Sequence, residues 1–181
     1  MNKYLLCILF FSFILNGCLS NSGQTLDFKD RYTLIEDVNS FNNKCNLSTN
    51  IVLLSILDKD GIVLKTSDVS LRIANNHKWA LSLKEQLNLI AKNNLCCIDL
   101  GDKYNLDLFV NKFYGSSNGD VYVSFYATLK NKNKVVFNKQ YSKVVKQSRD
   151  GYEFLVKTLK QSFCEELLLL KTDLYNLTLD K

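Results

Sequence analysis

The spacing of apolar residues changes twice along the chain, and this change limits the fold more than any other feature of the sequence. Apolar residues recur at helical spacing over 83–95 and again over 152–174. Between these stretches, 106–110 and 121–129 alternate apolar with polar side chains, which is the period of a half-buried strand. Two amphipathic helices can cover one sheet, and 181 residues do not suffice for two full-sized domains. The pattern predicts a single α/β domain that contains an antiparallel meander.

The other strands are predicted from shorter signals. Residues 31–37 are predicted as a first strand, and the asparagine-rich stretch 38–50 as a loop. Residues 51–57 form a continuous apolar run, which is typical of a strand buried on both faces. Two short strands are predicted after the next turn signal, at 62–65 and 69–74.

Local signals place the ends of the helices. Ser82 and Glu85 match a capping box, in which the serine accepts from a free amide and the glutamate reaches back. The last helix is predicted to begin near 150–151, after a third strand that starts at 135. A hairpin loop is predicted at 115–120.

The N-terminus has the features of a bacterial lipoprotein signal. Lys3 is followed by an apolar run of about a dozen residues, whereas a membrane span needs ~20. Leu15, Gly17 and Cys18 then resemble a lipobox, in which the chain is cut before the cysteine and the thiol is acylated. The alternative is an ordinary signal peptide in which Cys18 is incidental. The predicted organisation is a signal peptide at 1–17, an acylated N-terminus with a flexible tether at 18–30, and one periplasmic domain at 31–181.

The residue after the cysteine bears on the location of the protein. An aspartate there would favour retention in the inner membrane of enteric-type bacteria, and this chain has Leu19. We therefore expect a lipid anchor in the outer membrane, on its periplasmic face. This compartment excludes nucleic acid as a partner.

Four of the six cysteines remain for the folded domain if Cys7 leaves with the signal peptide and Cys18 carries lipid. Because the periplasm is oxidising, these cysteines can form one or two disulfides or remain structural thiols. The adjacent pair cannot both point into one core, and the sequence leaves three connectivities open. The disulfide candidates are Cys45, Cys96, Cys97 and Cys164.

Side chains that would support catalysis or metal binding are scarce. His77 is the one histidine, so any Ser-His-Asp or Cys-His site would have to use it. We expect it instead to pack or hydrogen-bond beside Trp79. The carboxylate pairs at 58/60 and 165/166 are expected to be solvated rather than to form a glycosidase pair. The sequence therefore predicts no enzyme activity, no cofactor and no metal site.

Two surfaces leave alternatives open. The formal net charge is +5, and lysines alternate with apolar residues over 130–146. This strand is either an ordinary solvated face or a contact for an acidic partner or anionic headgroups. Tyr122 and Tyr126 lie on the polar side of their strand. They belong to an interface if that side is open, and to the core if a helix covers it.

Residues 51–95 resemble the ABC-type transport auxiliary lipoprotein family, the PqiC/YmbA-like lipoproteins related to paraquat-inducible protein C. The resemblance lies in a turn at 57–61, the stretch Leu-Arg-Ile-Ala at 71–74, the stretch His-Lys-Trp-Ala at 77–80 and the helix behind it. Lys78 stands where the family usually has arginine. The chain has no proline, and its four remaining cysteines are not a family feature.

The resemblance implies a three-layer α/β/α domain with a mixed sheet, akin to anticodon-binding-like folds. It also implies a non-enzymatic accessory role beside an MCE-domain tunnel protein and its inner-membrane component, in lipid transport that supports envelope integrity. Copies of such lipoproteins can form a homo-oligomeric ring. His77, Lys78 and Trp79 would be a signature patch for the fold or for an interface.

Two other functions compete with this one. A stand-alone periplasmic lipid-binding carrier would need an apolar cavity of several hundred Å³, as a rough scale. A hydrolase or redox lipoprotein would need His77, Cys96 or Cys97 in a cleft with a perturbed pKa.

Overall fold

The structure, a computed structural model, describes residues 30–35, 47–98, 100 and 103–179. Within these residues seven strands form one mixed sheet, and two helices pack on it. The predicted signal peptide, Cys18, most of the tether and Cys45 lie outside the described residues. The elements are β1 (Asp30–Tyr32), β2 (Ser48–Leu53), β3 (Gly61–Ser67), β4 (Ser70–Trp79), α1 (Leu83–Leu95), β5 (Tyr104–Ser116), β6 (Asp120–Asn131), β7 (Lys134–Lys146) and α2 (Tyr152–Leu179).

The long strand β5 organises the sheet. Strands β5, β6 and β7 form the predicted antiparallel meander. On its other edge β5 has two parallel partners in succession: β2 pairs with its first half, and β3 pairs with Gly115 and Ser116 near its end. The sheet continues from β3 through antiparallel β4 to parallel β1. Parallel and antiparallel pairs therefore coexist, as the mixed sheet requires.

Both helices pack on one face of this sheet. Phe163 of α2 lies edge-on to Phe113 of β5 and Phe125 of β6, with ring centroids 6.1 and 5.5 Å away. Helix α1 contacts both β2 and α2. The predicted α/β class and two amphipathic helices are confirmed. The layering differs from the three-layer α/β/α arrangement that the resemblance implies: among the described residues no helix covers the face that carries Phe109 and Tyr126. These strands alternate apolar with polar side chains, so only one face is apolar enough to bind helices.

The early strands differ from their predicted bounds. Strand β1 ends at Tyr32, and the backbone amide of Leu34 then donates to the Gln86 side chain of α1 at 2.7 Å. Strand β2 starts at Ser48, inside the predicted loop, and ends at Leu53. Its apolar run is buried on one face only, because Val52 points to the open side of the sheet and is 43% exposed.

The helix ends follow the local signals. The Ser82 hydroxyl accepts from the Glu85 amide at 3.2 Å and donates to the Glu85 carboxylate at 2.7 Å. The Glu85 carboxylate therefore accepts a hydrogen bond from the Ser82 hydroxyl, which caps the start of α1. Helix α2 follows Gly151, whose φ of +111° favours glycine. In the described part of the chain, neither helix is long and apolar enough to cross a membrane.

Candidate functional site

The signature patch lies at the end of β4, where β1 pairs with it. The register sets His77 beside Asp30, Lys78 beside Arg31 and Trp79 beside Tyr32. Successive strand residues point to opposite faces, so His77 and Trp79 share the helix side and Lys78 points away. The three adjacent residues therefore have different surroundings.

Trp79 belongs to the core. Its side chain is 4% exposed, and its ring centroid lies 6.2 Å from that of Phe113. Its backbone amide donates to the Asp60 carbonyl at 2.7 Å, which ties the end of β4 to the turn before β3. This residue of the patch supports the fold and has no exposed surface large enough to bind a partner.

His77 connects β1, β4 and α2. Its ring stacks on Tyr152, the first residue of α2, with centroids 3.7 Å apart and planes at 18°. Its Nδ1 atom lies 3.2 Å from the Tyr32 hydroxyl and 3.5 Å from an Asp30 carboxylate oxygen. We call these four residues the His77 junction. They fasten the first described strand to the rest of the domain.

The phenols of the junction remain protonated at neutral pH. Burial raises the pKa of Tyr32, and the nearby Asp30 carboxylate raises it further. Burial also raises the pKa of Tyr152. The arrangement provides stacking and hydrogen bonds between protonated phenols and one imidazole. This matches the expectation that His77 packs and hydrogen-bonds, although its stacking partner is Tyr152 instead of Trp79.

Replacing His77 with Ala is expected to lower the free energy of unfolding by about 1–2 kcal/mol, because a ring stack and a hydrogen bond are lost. Urea unfolding measures this, with Asn76→Ala as the control because Asn76 is exposed on the same strand. Hydrogen exchange at the Ala80 amide, which donates to the Tyr32 carbonyl at 2.8 Å, should accelerate as β1 loosens. Unchanged stability and exchange would show that the junction does not hold β1.

Lys78 faces solvent beside the turn that precedes β3. Its Nζ atom lies 3.7 Å from an Asp60 carboxylate oxygen, and that carboxylate is 84% exposed. Asp58 and Asp60 are both exposed, as expected. A pair this open contributes little to stability.

Most lysines of the basic stretch 130–146 form ion pairs with acidic side chains of the same chain. Four of its lysines form ion pairs with β5, β6 or α2. In the described residues these pairs are Lys130–Asp107 at 2.8 Å, Lys139–Asp173 at 2.7 Å, Lys146–Asp120 at 2.9 Å and Lys143–Glu165. The stretch is therefore neither a plain solvated face nor a wholly free basic patch. Much of its charge is neutralised locally.

Of the two adjacent carboxylates predicted to be solvated, Glu165 is partly exposed and Glu166 is buried. Glu165 accepts hydrogen bonds from Lys143 and Gln161, and these lower its pKa. Glu166 is 7% exposed on the buried side of α2. The prediction was wrong for Glu166, because the spacing of two adjacent acids does not reveal which side of the helix faces the sheet.

Asp173 on α2 accepts from both Lys139 and the buried hydroxyl of Tyr141. Burial opposes its ionisation, but these two hydrogen bonds outweigh burial and lower the pKa of Asp173. Because the pKa is lower in the folded state, the carboxylate stabilises the fold above its unfolded pKa of about 3.9. This contribution is lost as the pH falls through the folded-state pKa.

Asp173→Asn should therefore lower the free energy of unfolding at pH 7 by about 1–2 kcal/mol. The difference from the unmodified protein should shrink in urea titrations as the pH falls below the unfolded pKa of about 3.9 towards the lowered folded-state pKa. Asp58→Asn is the matched control, since Asp58 is exposed. If the two proteins differ by the same free energy of unfolding at neutral and at acidic pH, this account is contradicted.

The sheet face opposite the helices is open among the described residues. Tyr126 is 39% exposed and lies against Phe109, which is equally exposed, with centroids 6.5 Å apart. Tyr122 is half-buried between Tyr114 and Lys65, whose Nζ atom sits 5.6 Å from its ring centroid. Of the two alternatives for this face, a helix-covered core is wrong and an open surface is correct.

The described cysteines are not bonded to one another. Cys96, Cys97 and Cys164 form no disulfide with one another, and the sulfurs of the adjacent pair lie 3.8 Å apart. Cys97 is exposed, whereas Cys164 lies on α2, where burial raises the pKa of its thiol. Since Cys45 lies outside the described residues, a disulfide to it remains a prediction. Among the residues described, no group of three or more His, Cys, Asp or Glu side chains could hold a metal ion.

Sequence reasoning missed the partners of His77. Tyr152 was assigned to the core stripe of α2, and Asp30 to the end of the tether. No pattern of neighbouring residues predicts the parallel pairing of β1 with β4, because Tyr32 and His77 are 45 positions apart in the sequence. The only available hint was that these polar and aromatic residues lie at element ends.

Comparison with known proteins agrees with this fold. A family described as "ABC-type transport auxiliary lipoprotein component" matches residues 49–96, from β2 to the end of α1. The intermembrane transport lipoprotein PqiC of Escherichia coli (strain K12) is 31% identical over 117 residues, which cover 59% of this chain and 62% of the relative. The protein of that name from Shigella flexneri gives the same values. The chain thus spans 62% of the length of these curated relatives.

Solved structures extend the likeness beyond that segment. A crystal structure of an uncharacterized protein superimposes with a TM-score of 0.68 at 27% identity, over 80% of this chain and 97% of that one. A protein from Xanthomonas campestris shares the fold, with a TM-score of 0.62 at 14% identity over 75% of this chain and 87% of its own. The predicted resemblance is confirmed: residues 49–96 match the ABC-type transport auxiliary lipoprotein family, and the chain is similar to the PqiC lipoproteins.

Proposed function

We propose that this protein is a non-enzymatic, lipid-anchored accessory subunit of an MCE-type intermembrane lipid transport system. It acts at the periplasmic face of the outer membrane and supports envelope integrity. Its partners are an MCE-domain tunnel protein and the inner-membrane component of that system. Copies of the chain form a homo-oligomeric ring as part of the same proposal.

The observation that carries the proposal is the family match at 49–96. The matched segment forms β2, β3, β4 and α1, and it contains the whole signature patch. The matching relatives are named intermembrane transport lipoproteins. The Leu-x-Gly-Cys stretch at 15–18 is what a lipoprotein requires for its anchor.

The proposed lipid anchor would decide which end of the domain lies next to the membrane. After removal of 1–17, acylated Cys18 would hold the chain on the membrane, and the following residues would lead to β1. Stable anchoring needs two lipid signals, and the diacylglycerol with an added acyl chain provides them. The His77 junction would then fasten the membrane-proximal strand to the domain.

The test is affinity capture of the full-length protein from detergent-solubilised envelopes of its own organism, followed by mass spectrometry. We expect recovery of an MCE-domain protein and its inner-membrane component, and a Cys18 mass that includes the lipid. Cys18→Ala is the control for anchoring and should release the protein from the membrane fraction. Native mass spectrometry of the captured complex counts the copies in the ring. Recovery of neither component, with the anchor intact, would overturn the proposal.

Two of the described clefts do not favour a stand-alone lipid carrier. One cleft of about 320 Å³ is lined by polar residues that include Lys65, Asp68 and Asn118. Another, of about 500 Å³, lies over the exposed turn at Asp58 and Asp60. Acyl chains need an apolar cavity, and these clefts are polar and open to solvent.

A further inference from the structure

Strand β7 is the last strand of the sheet on its side, and its outer edge has no partner among the described residues. On its inner edge it pairs with β6, with one shift in register near its start. The backbone amide of Gln147, directly after the strand, donates to the Gly119 carbonyl at 3.0 Å. Because hydrogen-bonded and non-hydrogen-bonded pairs alternate in an antiparallel ladder, the odd-numbered residues from 137 to 145 bond to β6. The even-numbered residues from 138 to 146 therefore direct their amides and carbonyls to the open edge.

The charges that would protect this edge are largely neutralised. Natural proteins often place lysines on an edge strand, where their repulsion prevents another strand from pairing. Three of the four lysines of β7 instead form ion pairs with acids of α2 or β6. On the side of α2 that meets β7, Leu169 lies midway between the acids Glu165 and Asp173 and adds no charge. Charge therefore protects the open edge only weakly.

The order of side chains along β7 favours one kind of strand, a second copy of β7. At equal distances on the two sides of Gln140, a lysine mirrors an aromatic residue, and two small polar side chains mirror each other. The mirrored pairs are Lys139 with Tyr141, Asn138 with Ser142, and Phe137 with Lys143, and valines lie beyond both ends at 135–136 and 144–145. If Gln140 lies opposite its own copy in an antiparallel pair, the mirrored residues lie directly opposite each other.

The register centred on Gln140 also keeps like charges apart. Lys139 of one copy lies opposite Tyr141 of the other, and Phe137 lies opposite Lys143, so each of these lysines meets an aromatic ring. A register centred on residue 139 would place Lys139 opposite itself, and one centred on 141 would place Lys139 opposite Lys143. Like charges directly opposite each other destabilise a strand pair. The register on Gln140 is therefore favoured over its two neighbours.

We propose that β7 pairs antiparallel with β7 of a second copy of this chain, about a two-fold axis at Gln140, so that two sheets become one. The outward backbone groups of 140 then bond to those of 140, and those of 138 bond to those of 142. The pairing brings Val136, which is 43% exposed, near Val144 of the other copy, which is 54% exposed.

This contact goes beyond the proposed function and does not depend on it. A two-fold contact joins one patch to the same patch on the other copy. A ring of several copies joins two different patches of each copy. The β7 pair and the ring are therefore separate contacts, and either can exist without the other.

The first experiment places a cysteine at the two-fold axis of the full-length lipoprotein in its own envelope. Gln140→Cys sets two thiols on residues whose Cα atoms lie about 5.5 Å apart in a hydrogen-bonded pair, within the range of a disulfide. We expect mild oxidation to link two copies. Peptide mass spectrometry should find position 140 joined to position 140, which distinguishes this link from links between native cysteines.

Asn138→Cys is the matched control on the same edge. Each residue 138 is four positions from the residue opposite the other copy's 138, so the two Cα atoms lie about 13 Å apart, too far for a disulfide. Absence of the link at 140, a link at 138 of equal yield, or a link from 140 to a different protein would overturn the proposal.

Gln140→Pro provides the second measurement. Because the Gln140 amide points outward, proline removes a donor of the contact and no hydrogen bond to β6, as an edge strand tolerates. In a dilution series of the detergent-solubilised lipoprotein, followed by native mass spectrometry, we expect the Kd of the pair to rise about tenfold or more. Gln140→Ala keeps the amide and should retain both the pair and the urea midpoint of the proline variant. If the proline variant pairs as tightly as the alanine variant, the β7 proposal fails, and the proposed function, which affinity capture tests, stands.

Discussion

Replacing Trp79 with Ala is expected to lower the free energy of unfolding by about 3–5 kcal/mol. The side chain is 4% exposed and packs against Phe113 in the middle of the core. Its removal would leave a cavity beneath the edge where β1 and β4 meet. Because most small domains have a stability of about 5–15 kcal/mol, this single change could remove a large part of the total. Chemical denaturation followed by circular dichroism measures it.

Lys78→Ala is the matched control for that change. Lys78 is adjacent in sequence, points to the other side of the strand and makes one open ion pair. Its replacement should change stability by less than about 1 kcal/mol. If Trp79→Ala has near-native stability but no longer captures the partner, Trp79 would be an interface residue, and the assignment to the core would be wrong.

Replacing Gly61 with Ala is expected to lower the free energy of unfolding by about 1–3 kcal/mol. A Cβ atom at this first residue of β3 would lie 2.4 Å from Cγ2 of Ile73 and 2.6 Å from the carbonyl oxygen of Ala74. Both atoms belong to the neighbouring strand β4, and one is backbone. The two strands would have to separate near Ile73 and Ala74, beside the register shift between Gly61 and Val63. Thermal unfolding and hydrogen exchange of β4 report this separation.

Gly115→Ala is the informative comparison for that variant. Its Cβ would also be crowded, at 2.7 Å, but the atoms it meets all belong to the flexible Leu155 side chain. A rotamer change can relieve that contact, so the loss of stability should be smaller. Equal losses in the two variants would mean that backbone crowding at Gly61 is not the cause.

Much of the fold could be predicted because its signals are local. The helical spacing from Leu83 to Leu95, the Ser82 cap and the alternation in β6 each depend on residues a few positions apart. Helix α2 was predicted to within a few residues of its start by the same spacing and by Gly151. The family resemblance could also be recognised from the sequence, because its specific residues lie within one continuous segment.

The bounds of the early strands were less predictable because they depend on the rest of the sheet. The run from Ile51 to Leu57 is apolar throughout, and nothing in it shows that one face of β2 would stay open. Likewise, β1 is three residues long and exists through its pairing with the end of β4. A short strand has little propensity of its own, so tertiary pairing decides whether it forms.

By itself the sequence determined the α/β class, the two helices, the meander and the family resemblance. Only the tertiary structure decided that His77 would meet Tyr152 and that Lys139 and Lys143 would find acids on α2. The physical reason is distance along the chain. Periodicity and capping act over a few residues, whereas these contacts join side chains that only the packing of the helices on the sheet brings together.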